Sequence, residues 1–101
     1  MTAHKWLLIV QPAAQKQFDR LQPAQKRSIF RHLIELLNAD DPYSLNFVEM
    51  LQDKKFERTR KFRAGDFRVF FNTESGEVVH LKQSYKGRLH LLAVQDRREA
   101  Y

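Results

Sequence analysis

Basic side chains crowd the segment between Lys54 and Arg68, and a phosphodiester is the kind of ligand that suits their charge. This segment contains seven basic residues and only two acidic residues, Glu57 and Asp66, which gives a local charge of +5. Such a density is typical of a surface that binds the phosphates of a nucleic acid, and a solvated charged face is the plain alternative. The seven bases are Lys54, Lys55, Arg58, Arg60, Lys61, Arg63 and Arg68.

Three of these bases are predicted to share one face of a β-sheet. Successive side chains of a strand point to opposite faces, so Lys61 and Arg63 lie together and apart from Phe62. A turn at Gly65 folds the next strand back, which brings Arg68 close to Arg63. The planar forks of the two arginines can hold phosphate oxygens at that place.

Cleavage of RNA without a metal ion is a reaction that such a patch can support. The ribose 2′-OH attacks the phosphate, so the site needs a proton acceptor and positive charge for the phosphorane. Lys61 is a candidate base, because the like charges of its arginine neighbours disfavour its protonated form. Alternatively, the bases only form ion pairs with Glu57, Asp66, Glu99 or a partner. His80 and His90, on adjacent predicted strands, offer a different acid–base pair.

The first half of the chain is predicted to be a strand followed by a helical hairpin. Residues 5–10 form a short apolar run that suits a buried strand. Pro12 and Pro23 each suit the first turn of a helix, and apolar residues at helical spacing follow both prolines. The predicted helices cover residues 12–21 and 23–38. Residues 42–55 are predicted to be an irregular connection with a short helix at most.

The second half is predicted to be an antiparallel meander. Gly65, Gly76 and Gly87 are eleven residues apart, and each is expected in a turn. The order β-α-α-β-β-β-β follows, an α+β fold with the helical hairpin on a mainly antiparallel, twisted sheet of four to five strands. One domain, residues 1–101, accounts for the whole length. The four strands after the helices are predicted at 56–63, 67–72, 77–83 and 88–95.

Composition excludes several classes of protein. The 101 residues carry a net charge of +6, and no apolar run approaches the ~20 residues of a membrane span. The absence of cysteine excludes disulfides and thiolate metal sites, and Asp40, Asp41 and Asp53 do not form a convincing metal site. We therefore expect a cytoplasmic protein that needs no metal or other cofactor and binds no membrane.

Two stretches of the sequence resemble the RelE/ParE superfamily of bacterial and archaeal toxins. Residues 61–71 (KFRAGDFRVFF) match its basic-apolar-basic strand and Gly-Asp-aromatic-Arg turn, and residues 96–101 (DRREAY) match its closing Arg-Arg-Glu-x-Tyr. The order of predicted elements also fits this superfamily, so the resemblance spans nearly the whole chain. It implies the RelE-like fold and the toxin of a type II toxin–antitoxin system.

The resemblance also implies site residues and partners. The catalytic set of RelE-like members, which cut messenger RNA on the ribosome, falls on Lys61, Arg63, Arg68, Arg97 and Tyr101. Tyr101 is then a second candidate base, and Arg97 lies on the leaving-group side. A set of nearby basic residues is expected to bind RNA. Phe67 and Phe70 are predicted to lie on opposite faces of the sheet, so one of the two rings is expected to be exposed to RNA or a partner. The RNA-binding bases are Lys54, Lys55, Arg58, Arg60 and Arg98.

The implied partners are the ribosome, messenger RNA and a cognate antitoxin. The antitoxin is expected to wrap the toxin with an acidic or amphipathic segment, which either covers the basic patch or makes the toxin too large for the ribosome. ParE-like members of the superfamily inhibit DNA gyrase without nuclease chemistry. This second function would place the target surface on the two helices instead of the sheet.

Overall fold

The computed structural model describes residues 4–51 and 58–96. They form a five-stranded sheet in the order β1-β5-β4-β3-β2, in which β1 and β5 are parallel and the other neighbours are antiparallel. The predicted α+β architecture and element order are confirmed. The elements are β1 (Trp6–Val10), α1 (Pro12–Asp19), α2 (Pro23–Asn38), a 3-10 turn (Pro42–Ser44), β2 (Glu49–Met50), β3 (Arg60–Ala64), β4 (Phe67–His80) and β5 (Gln83–Asp96).

Both helices begin at the prolines that the sequence marks as helix starts. Proline has no N–H to lose in the first turn, and its fixed φ suits the helix. At the start of α2, the side chain of Gln25 also accepts a 2.9 Å hydrogen bond from the backbone N–H of Gln22. The helix ends before Asp41, whose carboxylate accepts from the N–H of Tyr43 and begins the 3-10 turn. Helix α1 is two residues shorter than predicted.

The hydrophobic core lies between the helices and one face of the sheet. Helix α2 contributes four buried residues at helical spacing, and β3, β4 and β5 contribute residues that alternate along each strand. Trp6 anchors the start of β1, where its indole N–H donates to the carbonyl of Ala39. The fully buried large side chains include Phe62, Phe71, Ile29, Leu36, Leu89 and Leu91.

Two of the three predicted glycine turns are wrong. The turn at Gly65 is confirmed, since it joins β3 to β4 with a φ of 61°. Gly76 instead lies inside β4, at a bulge where one extra residue interrupts the pairing with β5. Gly87 lies inside β5, where an added Cβ would come within 2.2 Å of the carbonyl oxygen of Glu74 and 2.7 Å of the Trp6 ring. Close packing, and not a turn, requires glycine there.

The turn that joins β4 to β5 contains no glycine. It consists of Leu81 and Lys82, whose φ angles of 49° and 65° give the positive values that a two-residue type I′ hairpin needs. The strand predicted at 77–83 is therefore wrong, because it contains this turn. The strands predicted at 67–72 and 88–95 are parts of the two 14-residue strands β4 and β5.

Among the described residues, no helix has both the length and the apolar character needed to cross a membrane.

Candidate functional site

The face of the sheet opposite the helices is called here the open face. It carries those basic residues of the predicted catalytic set that lie in the described part of the chain. Phe62 and Ala64 of β3 and Val69 of β4 are buried on the core side, so the residues between them point the other way. Lys61, Arg63 and Arg68 are thereby placed together, as the alternation predicted. We call these three residues the basic cluster.

Strand pairing fixes the geometry of the basic cluster. Arg63 and Arg68 are direct partners across the hairpin, which puts their Cα atoms about 4.5–5.5 Å apart. Lys61 lies two residues further along β3, at a distance of about 7 Å. Arg63 is exposed, whereas Lys61 and Arg68 are half-buried. A phosphate above this hairpin can therefore contact two guanidinium groups and an ammonium at once.

An acidic residue that the sequence analysis did not assign to the site lies beside Lys61. Strand β2 pairs with β3, and its Glu49 is the direct partner of Lys61 on the open face. An ionised carboxylate only accepts hydrogen bonds, so it can pair with the ammonium or take a proton. A two-residue strand gives almost no sequence signal, and residues 42–55 were expected to be an irregular connection.

The open face also carries an aromatic ring next to the basic cluster. Phe67 is buried in the core, whereas Phe70 lies half-buried on the open face as the direct partner of Lys61. This arrangement decides which of the two phenylalanines is available to RNA or a partner. An aromatic ring between cations suits the stacking of an unpaired base.

Two further predicted RNA-binding residues, Arg58 and Arg60, lie apart from the basic cluster. The guanidinium of Arg60 stacks on the ring of Tyr43, 4.5 Å from its centroid, on the core side of β3. Arg58 is exposed and precedes β3. The hydroxyl of Tyr43 donates to the backbone carbonyl of Arg58 and accepts from the N–H of Thr73, so it ties this segment to the edge of β4.

Arg58 lines a cleft of about 410 Å³ in the middle of the open face. In this cleft Nε2 of His90 lies 3.4 Å from Oε1 of Glu74, and a guanidinium nitrogen of Arg88 lies 3.5 Å from the same oxygen. We call it the central cleft, and a hollow of about 420 Å³ adjoins it and shares three of its lining residues. The lining residues of the central cleft are Gln11, Arg58, Asn72, Thr73, Glu74, His90 and Leu92.

The alternative acid–base pair of His80 and His90 does not form. The partner of His90 on β4 is Asn72, eight residues from His80, so the two histidines are roughly 25 Å apart. His80 lies beside the hairpin turn and is exposed. The structure instead places Glu74 against His90, a pairing that depends on the long β4–β5 register and has no signature in the sequence.

The remaining predicted site residues lie outside the described part of the chain. They are Lys54, Lys55, Arg97, Arg98 and Tyr101, and their roles stay predictions. Within residues 4–51 and 58–96, no group of three or more His, Cys, Asp or Glu residues could hold a metal ion.

Away from the open face, an ion pair connects α2 to the sheet. Nζ of Lys5 lies 2.6 Å from Oδ1 of Asp40, and Nζ of Lys86 lies 3.9 Å from the same atom. The hydrogen bond from Lys5, and then the charges of both lysines, lower the pKa of Asp40 below its usual value of 3.8. This contact joins the loop after α2 to the strands β1 and β5.

An apolar groove lies between the helical hairpin and β1, which is an edge strand of the sheet. Its volume is about 180 Å³, and its lining is almost entirely apolar. Phe30, at one side of the groove, keeps 49% of its surface exposed, and Ile34, one turn further along α2, keeps 40%. The other lining residues are Leu8, Val10, Gln15, Phe18, Leu33 and Leu91.

Solved structures share this fold, although no family model and no curated protein matches the chain. A chain of the archaeal RelE–RelB complex from Pyrococcus horikoshii is similar with a TM-score of 0.62 and 18% identity, over 92% of this chain and 96% of that chain. A chain of the RelBE2 toxin–antitoxin complex from Mycobacterium tuberculosis is similar with a TM-score of 0.54 and 16% identity, over 92% and 99%.

These similarities define the architecture of the chain. The fold is that of these chains from the two RelE–RelB-type complexes, which confirms the predicted RelE-like fold. At 16–18% identity the similarity concerns the fold, so the chemistry has to be argued from the residues of the open face.

Proposed function

We propose that this chain is the toxin of a type II toxin–antitoxin system and that it cleaves messenger RNA on the ribosome. The observation that carries the proposal is the basic cluster. Lys61, Arg63 and Arg68 share the open face of a RelE-like fold, and the core of that fold lies on the opposite face. Two guanidinium groups and an ammonium on one face suit a ligand with negative charge.

The reaction assigned to this site needs no metal ion. Arg63 and Arg68 bind non-bridging phosphate oxygens and stabilise the negative charge of the phosphorane. The 2′-OH loses its proton to a base, for which Lys61, Glu49 and Tyr101 are the candidates, and its oxygen bonds to phosphorus. The bond from phosphorus to the 5′-oxygen breaks, and this oxygen takes a proton from water. The products are a 2′,3′-cyclic phosphate and a 5′-OH end. Arg97 is proposed to stabilise the departing 5′-oxygen.

The ribosome is proposed to align the 2′-OH with the scissile phosphate, which the site itself does not do. In the described part of the open face, the basic cluster has the carboxylate of Glu49 beside it. His90 lies away from the basic cluster, in the central cleft. Holding the 2′-OH in line with the phosphate can lower a barrier by several kcal/mol. The protein acts in the cytoplasm, where its net charge of +6 favours approach to ribosomal RNA.

The test is a comparison of cleavage with and without ribosomes. We expect induction of the chain alone to arrest growth, and primer extension to show new 5′ ends within translated messages. The purified protein should cut message rapidly when ribosomes are added and negligibly when they are absent. The matched variants are Arg68→Gln, which should lose cleavage, and Arg31→Gln on the exposed side of α2, which should retain it. Intact messages in arrested cells would refute the proposal.

A gyrase assay addresses the second function. A ParE-like inhibitor should block supercoiling by purified gyrase at near-stoichiometric amounts, and a nuclease should leave supercoiling unchanged. Inhibition of supercoiling by both the wild type and the Arg68→Gln variant would favour the helices as the binding surface over the sheet.

The partner that we propose is an antitoxin with an amphipathic segment. The apolar groove beside β1 suits the nonpolar side of a helix or strand, since its lining is almost entirely apolar and Phe30 is exposed there. An acidic part of the same protein suits the basic cluster. The two contacts respond differently to salt, because ionic strength screens the charges but not the apolar contact. Co-expression with the neighbouring gene, followed by co-purification at low and high salt, tests both.

A further inference from the structure

We propose that the central cleft is a subsite that binds a guanine base of the RNA. The inference rests on the proposed function, since it names a nucleotide of the RNA near the cleavage point. It also concerns residues that no step of the proposed reaction uses, namely Asn72, Glu74 and His90.

The open face of β4 offers a continuous track for a single strand of RNA. Side chains at every second position point to this face, so Arg68, Phe70, Asn72 and Glu74 follow one another along it. The track runs from a cation through an aromatic ring to an amide and a carboxylate over about 20 Å. Asn72 is about 13 Å from Arg68, too far to contact the same phosphate. The central cleft therefore faces a different nucleotide of the same strand from the one at the basic cluster.

The polar groups of the cleft match one base better than the other three. Ionised Glu74 only accepts hydrogen bonds, and it has two oxygens that can receive two parallel N–H groups. Guanine is the only RNA base whose pairing edge carries two adjacent donors, at N1 and N2. The amide of Asn72 can donate to O6 on the same edge. Adenine, cytosine and uracil each present an acceptor where the carboxylate needs a donor.

The residues around Glu74 hold its carboxylate in place. Arg88 is its direct partner on β5, and the contacts from Arg88 and His90 both reach Oε1. A carboxylate positioned before the ligand arrives loses less conformational entropy on binding. The exposed guanidinium of Arg58 lies at the same cleft, where it can contact the phosphate of the bound nucleotide.

Binding of the four ribonucleoside monophosphates to the purified chain tests the subsite without depending on cleavage. The readouts are calorimetry and the NMR shifts of the His90 ring and the Asn72 side-chain amide. We expect GMP to bind about 10-fold more tightly than AMP, CMP or UMP, as for a bidentate base contact. Glu74→Gln should remove the preference, because an amide has one acceptor oxygen. Asn72→Asp should weaken GMP binding by repulsion at O6.

Glu77→Gln is the matched control, since it makes the same change on the same strand outside the cleft, where Glu77 bonds to Ser84. It should leave the GMP preference unchanged. Equal binding of all four nucleotides, no binding at millimolar concentration, or an equal effect of Glu77→Gln would overturn the subsite.

A cleavage profile distinguishes guanine in RNA from the free nucleotide and separates the two proposals. We expect cuts on ribosome-bound messages to be enriched near guanine, and Glu74→Gln to spread them over other bases. Selective GMP binding by a chain that cuts no RNA would sustain the subsite as a free-nucleotide site and refute the nuclease. Cleavage whose distribution Glu74→Gln does not change would sustain the nuclease and refute the subsite.

Discussion

Replacing Arg63 with glutamine should make the protein more stable and less active. Arg63 and Arg68 are direct partners across the β3–β4 hairpin, with Cα atoms about 4.5–5.5 Å apart. Like charges in such a pair repel each other whether or not RNA is bound. Glutamine keeps most of the length and polarity of the side chain, so the substitution removes the charge and little else.

The two effects have different magnitudes. A cross-strand charge pair contributes about 0.2–1 kcal/mol, and Arg63 is exposed, so the gain in unfolding free energy should lie within this range at low salt. The loss of activity should be larger. A hydrogen bond to a charged group contributes about 1.5–3 kcal/mol, which corresponds to a decrease in cleavage rate of about 10- to 150-fold.

Urea unfolding and ribosome-dependent cleavage measure the two quantities on the same preparations. The gain in stability should disappear at ~1 M salt, where the Debye length falls to about 3 Å. Arg31→Gln removes a charge from the exposed side of α2, and it should change neither quantity measurably. A variant that loses more than about 1 kcal/mol of stability, or keeps full activity, would show that Arg63 has a structural role instead.

Three other substitutions test the fold that presents the site. Gly87→Ala should cost at least about 3 kcal/mol in urea unfolding, because its Cβ meets the backbone carbonyl of Glu74; a cost below about 1 kcal/mol would contradict the packing of β1, β5 and β4. Changing Leu81 and Lys82 together to Asn-Gly should stabilise the hairpin by about 1–2 kcal/mol, since both residues have positive φ; unchanged thermal stability would contradict the type I′ turn. Asp40→Asn addresses pH. Because the pKa of Asp40 is lowered below 3.8 in the folded chain, its contribution is present above that pH and is lost as pH falls through the lowered value, so wild type and variant should converge in acid. A stability difference that persisted at low pH would contradict this assignment.

The helical half of the fold was predictable because local chemistry determines it. A proline at the first turn fixes where each helix begins, and the apolar spacing of α2 fixes the side that is buried, so the bounds 23–38 agree with the structure. Helix α1 ends earlier than predicted because Arg20 is its C-cap and the N–H of Leu21 bonds to the carbonyl of Phe18. Helix ends commonly differ by such a margin.

The even spacing of the glycines led to two wrongly predicted turns, and the reason is physical. Glycine suits turns, bulges and close packing equally well, and the sequence does not distinguish these uses. Gly65, Gly76 and Gly87 serve one use each. The real turn at Leu81 and Lys82 has residues that rarely adopt positive φ, so its position depends on the pairing of the two long strands on either side.

The same reasoning explains which part of the site was predictable. The basic cluster requires only strand alternation and one short turn at Gly65, and both are local. The central cleft requires the register of residue 74 against residues 88 and 90, which is set by the hairpin turn and by the bulge between Ser75 and Val78. A one-residue error in the predicted register would place Glu74 on the other face. A prediction that misplaces the turn therefore cannot find the contact between Glu74 and His90.

The sheet places its core residues and the proposed site on opposite faces. Core residues of β4 such as Val69 and Phe71 alternate with Arg68, Phe70 and Asn72, so each of these open-face positions has a fully buried neighbour in the chain. The buried residues of this alternation fix the backbone beneath the open face. Unfavourable charge contacts such as that of Arg63 with Arg68 can therefore persist, because the core on the other side offsets them. RNA and an acidic antitoxin segment would both bind through negative charge at the basic cluster, so we expect their binding to be mutually exclusive.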